Sequence, residues 1–105
     1  TPRQATDVAA GTNAVLAAVQ PIWANEDCGA SDTLVRKTDA LNHTVGANIK
    51  DMQLVFEIDP ASLTAGYDCV YITAATSSQA TNFWSVTAYI QTRYPQATPP
   101  AAITD

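Results

Sequence analysis

Asp68-Cys69-Val70-Tyr71-Ile72-Thr73-Ala74 is the densest β-branched and aromatic run in the chain, and it carries one of only two cysteines. Successive side chains of a strand point to opposite faces. Val70, Ile72 and Ala74 would therefore face one way, and Cys69, Tyr71 and Thr73 the other. Both sets are apolar enough to be covered. The run reads as a central strand, tied through Cys69 to the N-terminal half.

Further along, Trp84, Val86, Ala88 and Ile90 alternate with Ser85, Thr87, Tyr89, Gln91 and Arg93, the pattern of another strand. A polar connection from Ser77 to Asn82 joins the two. On the N-terminal side, Met52, Leu54, Phe56 and Ile58 alternate with Gln53, Val55, Glu57 and Asp59, which predicts a half-buried strand. Asp59-Pro60 closes it, because proline brings no donor to a ladder.

Before residue 52 the apolar period lengthens. Val8, Thr12, Val15, Val19 and Ile22 fall on one helical face beside Leu16 and Trp23, and Thr6 or Asp7 can cap that helix. Pro21 should end it near Val19 or kink it. Residues 25–32 form an acidic loop that caps a second helix opening at Ser31 or Asp32. Leu34, Thr38, Leu41, Val45 and Ile49 would make its apolar stripe, and Gly46 places its end near His43 or Val45. The expected fold is α+β: two N-terminal helices packed on a small, mainly antiparallel sheet from the C-terminal half. The alternative is an all-α four-helix bundle, since Phe83, Val86, Thr87, Ile90 and Tyr94 also fit a helical face. Residues 60–94 contain no Glu or Lys and many Val, Ile, Thr and Tyr, which favours strands. One compact domain over residues 1–94 and a Pro-rich tail over 95–105 complete the expectation.

At 105 residues the chain suffices for a single core. Charged residues make up 14%, well below the usual quarter, so solubility rests on Thr, Ser, Gln and Asn. The net charge of −5 argues against nucleic acid and anionic membranes, because both need Lys and Arg to displace counterions. No apolar run approaches the roughly 18 residues of a membrane span, so no membrane insertion is expected. The sequence does not open on a signal segment, which fits a mature or trimmed form and equally an arbitrary boundary.

Cys28 and Cys69 allow one bridge, closing a loop of 41 residue steps from 28 to 69. Such a loop contributes about 4 kcal/mol through chain entropy. The competing reading is two reduced, buried thiols. Asn42-His43-Thr44 is a glycosylation sequon with Asn42 as acceptor, and with the low charge it favours an oxidising compartment and the bridge.

Catalytic chemistry finds little support. His43 is the only histidine and reads as a surface residue. No Gly-x-Ser-x-Gly elbow is present, and one His with two distant cysteines makes no closed zinc site. The acidic loop lacks calcium-loop spacing, and isolated glycines at 11, 29, 46 and 66 form no phosphate loop. Glu57 and Asp59 would share one strand face about 7 Å apart, a spacing that suits two-carboxylate glycoside hydrolysis. A solvent-facing polar stripe explains it equally well, and Asp59 before a proline suits a cap or turn. No catalytic residue, metal or cofactor is therefore expected. Tyr67, Tyr71 and Tyr89, with Trp84, could stack on a sugar or a partner, or keep their hydroxyls wet at a sheet edge.

No motif identifies a family. The order of elements, one helix and then a disulfide-tied sheet, resembles the headgroup of type IV pilin-like subunits. The likeness covers that order alone, without the apolar N-terminal segment through which those subunits polymerise. The expected function is that of an exported, non-catalytic extracellular protein acting through protein–protein contacts, as a surface, filament or matrix subunit or a secreted binding factor. Its contact surface would be the strand edge at Thr87, Tyr89, Gln91 and Arg93, with Tyr71. The alternatives are a small carbohydrate-binding module and a small glycoside hydrolase.

Overall fold

The computed structural model describes residues 1–49, 51–75 and 81–91. The chain divides into two units, Thr1–Ala74 and Ala75–Asp105. The first holds six strands: β1 (Pro2–Ala5), β2 (Asn13–Val15), β3 (Gln20–Asn25), β4 (Val35–Ala40), β5 (Gln53–Phe56) and β6 (Cys69–Ile72). They form two three-stranded antiparallel sheets, ordered β2-β1-β6 and β4-β3-β5. The one helical segment among the described residues is a single 3-10 turn, Pro60–Ser62.

Neither the two N-terminal helices nor the four-helix bundle is present, so the α+β expectation is corrected to a nearly all-β fold. The likeness to pilin headgroups, which rested on a leading helix, falls with it. Where the first helix was expected, the chain makes a hairpin from β1 to β2 and then enters β3. Asp7 does accept a backbone amide, but from Gly11 in the hairpin turn (3.2 Å) rather than from a helix. A carboxylate serves either purpose. Ala10 closes the turn with φ 55, a left-handed conformation that no helix interior adopts. Of the five residues on the supposed helical face, Ile22 is buried whereas Val8, Thr12, Val15 and Val19 are exposed.

Pro21 is the residue that most misleads. It lies inside β3, the middle strand of its sheet, where a missing amide should break a ladder. The register shows how it is accommodated. Gln20 pairs with Ala40 and Ile22 with Lys37, so Thr38 and Asp39 together oppose Pro21 in a bulge. On the other side, the Pro21 carbonyl still accepts from the Glu57 amide at 3.1 Å. The expected second helix is likewise a strand, β4, followed by an irregular stretch with a turn closed by the Ile49 amide on the Gly46 carbonyl.

The strand expected from Met52 is present as β5, and exposure alternates through it in the expected sense. Asp59 caps the 3-10 turn, its carboxylate accepting from the Ala61 amide at 2.9 Å. The run at Asp68–Ala74 yields β6, but among the described residues it is an edge strand paired with β1 alone, not a central one. Residues 82–91 lie in no strand, so the element expected at Trp84–Arg93 is irregular as far as Gln91. Arg93, Tyr94 and the tail 95–105 lie outside the described residues, as does the expected domain boundary.

The buried interior of the first unit is small. Ala5, Leu16, Ile22 and Ala24 are its buried hydrophobic residues, with Pro2 beside them, and Gln4, Gln20 and Asn25 are buried polar ones. The polar groups are bonded, as burial demands. The Gln4 amide donates to Thr64 Oγ1 (2.9 Å), and its Oε1 accepts from the Thr64 backbone amide (2.9 Å). Asn25 donates to the Ser31 carbonyl and accepts from the Asp27 amide, fixing the loop after β3.

Candidate functional site

Two open depressions flank the loop after β3. One, of about 690 Å³, is lined by Asn25, Cys28, Ser31, Asp32 and Gln53. The other, of about 460 Å³, is lined by Glu26, Asp27, Asn48, Ile49 and Asp51. Among the described residues no three His, Cys, Asp or Glu side chains converge as metal ligands do.

His43 is not the surface residue expected. Its side chain is largely buried, with Nε2 3.6 Å from Glu26 Oε1 and no hydrogen-bond partner among the described residues. Glu26 Oε2 pairs with Lys37 Nζ at 3.1 Å, so this carboxylate joins β4 to the stretch that follows it. Trp23 faces Arg36 across the β3–β4 ladder, the guanidinium lying 4.6 Å from a ring centroid. These contacts tie one sheet together. Of the two carboxylates considered for hydrolysis, Glu57 is exposed just past β5, and Asp59 is engaged as the cap described above.

Cys28 and Cys69 are not joined to each other. Cys28 is exposed in the loop after β3, where its amide donates to the Asp51 carbonyl at 3.0 Å. Cys69 opens β6 in the other sheet, half-buried, its Sγ 3.4 Å from Asp68 Oδ1. Asn42 is exposed in the irregular stretch after β4. Tyr71 lies half-buried on β6, its hydroxyl accepting from Arg3 Nε at 2.9 Å, and Arg3 reaches on to Asn13 Oδ1 at 2.7 Å. The aromatics considered as one platform divide between the units: Tyr67 and Tyr71 in the first, Trp84 and Tyr89 in the second.

The most exposed apolar surface lies in the second unit. Phe83 is 92% exposed, Trp84 62%, Val86 56%, Tyr89 96% and Ile90 81%. Thr87 and Gln91 of the expected contact surface are exposed beside them; Arg93 is not described. Sequence reasoning singled out Tyr89, with Trp84 as a candidate stacking neighbour, and did not name Phe83, Val86 or Ile90 as contact residues. A signal was available: no charged residue occurs from Cys69 to Thr92. Compared with protein-family models, curated proteins and solved structures, the chain matches none of them.

Proposed function

We propose that this chain is an exported, non-catalytic protein that acts through protein–protein contacts, and that its contact element is the segment 83–90. The observation carrying the reading is the exposure of five large apolar side chains on one irregular, uncharged stretch. Scattered exposed apolar residues are ordinary, but a run of them marks an interaction site. Covering one such side chain returns roughly 1.5–3 kcal/mol, so a partner that buries several gains substantially. Irregular backbone also offers amides and carbonyls to a partner's sheet. The low charged fraction and the exposed sequon asparagine, Asn42, support export.

The test is site-specific photocrosslinking in material from the native source. A photoreactive residue at Val86 should give discrete protein adducts, and one at exposed Asp32 should not. Equal labelling from both positions removes the reading. A second reading, carbohydrate binding, is favoured by the exposure of Trp84 and Tyr89, whose rings suit stacking on a sugar. Binding on a glycan array that is lost in Tyr89→Ala would support it instead.

A further inference from the structure

We infer that the partner of segment 83–90 is the β6 edge of a second copy, so that copies of this chain join by strand addition; the inference rests on the protein-contact reading above. The acceptor is defined by the ladder. Thr1 and Thr73 exchange both backbone bonds, at 2.8 and 2.9 Å, which makes them a hydrogen-bonded pair. Such pairs alternate along an antiparallel ladder. Tyr71 therefore turns its amide and carbonyl toward β1, and Val70 and Ile72 turn theirs toward the outer side.

Proteins guard sheet edges with charge, proline or brevity. β4 carries Arg36, Lys37 and Asp39; β5 lies between Asp51 and Glu57; β2 has three residues. β6, like β5, has four residues with no charge and no proline, but one acid, Asp68, flanks it where two flank β5, and the Val70 side chain is exposed. Among the described residues it is the edge with the fewest charges in or beside it, apart from the three-residue β2.

The donor has matching properties. Residues 83–90 are rich in strand-forming types, and no proline occurs between Pro60 and Pro95, so every amide is available. Trp84, Val86, Ala88 and Ile90 would share one face of the added strand. Every copy carries both the donor and the acceptor, and the charge pattern permits their pairing. At net −5 two copies repel, yet donor and acceptor both lie in the uncharged stretch 69–92, so joining them sets no like charges side by side. Because donor and acceptor are different surfaces, the contact is heterologous and propagates into rings or open chains.

The experiment uses the full chain and two blocked variants. Val70→Pro removes an outward amide from the acceptor, a place where an edge strand tolerates proline. Val86→Pro interrupts the donor. In sedimentation velocity the unmodified protein should form species larger than a dimer as concentration rises. Each variant alone should stay monomeric, and their equimolar mixture should form dimers and nothing larger, because only one junction remains competent. Val70→Lys, checked by circular dichroism, repeats the acceptor arm should the proline variant fail to fold. A monomeric unmodified protein at every concentration overturns the inference, as does assembly of either acceptor variant like the unmodified chain. If self-association is absent while Val86 still crosslinks to a different protein, the contact reading stands and the second-copy inference falls.

Discussion

Gln4 fastens residues 60 positions apart, because its one side chain both donates to Thr64 and accepts from it inside a buried site. Gln4→Leu keeps the bulk of the side chain and leaves the Thr64 amide without its acceptor. A loss of about 1–3 kcal/mol is expected, measured as a lower urea midpoint. Gln4→Glu keeps an acceptor for that amide but loses the donor to Thr64 Oγ1 and the Val15 carbonyl and buries a carboxylate, so it should lose at least as much. Cys28, exposed in its loop, should be alkylated in the native protein without reductant and before half-buried Cys69, as read by intact mass over time. An isolated protein that gains no mass under those conditions carries the bridge between Cys28 and Cys69 after all. At this scale the sequence was partly legible. Asp59 before Pro60 signalled a cap and makes one. Asp7 signalled the same chemistry and serves a hairpin turn instead, because a short carboxylate bonds a nearby amide in either geometry.

Among the elements, β5 was readable because it is half-buried, so its two faces differ in solvent exposure and its residues alternate in polarity. β4 was not, for the opposite reason. It is an edge strand rich in charge, and its bulge opposite Pro21 interrupts the alternation. β3 was obscured by Pro21, whose usual meaning is the end of an element, although Gln20, Ile22 and Ala24 are buried at period two. The segment beyond Asn82 shows the converse: alternation marks a chain fit for a sheet, and it does not supply a neighbouring strand. The supposed helix and the observed strand differ in what Val19 and Ile22 should cost. A helix through both would bury both, whereas here Ile22 is 1% exposed and Val19 56%. Ile22→Ala should therefore lose about 2–5 kcal/mol in chemical denaturation. Val19→Ala should change stability by no more than about 0.5 kcal/mol.

For the molecule as a whole, the far-UV circular dichroism spectrum should be that of strand and irregular chain, without the double minimum of helix, since the helical content of the described residues is one 3-10 turn. A helical spectrum would restore the bundle. The composition bounded the size and charge of the fold correctly, but it gave no account of how the strands are shared between sheets. Pairing is decided by contacts between distant residues, which local periodicity does not encode. One such pairing has a consequence in time. β1 is the middle strand of its sheet, and its partner β6 ends at Ile72. The sheet of β3, β4 and β5 lies wholly within residues 20–56. During synthesis that second sheet can be complete while the first strand made is still waiting for a neighbour that has not left the ribosome. Pulse-labelling hydrogen exchange during refolding should accordingly protect the amides of Ile22 and Ala24 before those of Arg3 and Tyr71, because closing the longer loop is slower. The first strand to be made is among the last to be locked.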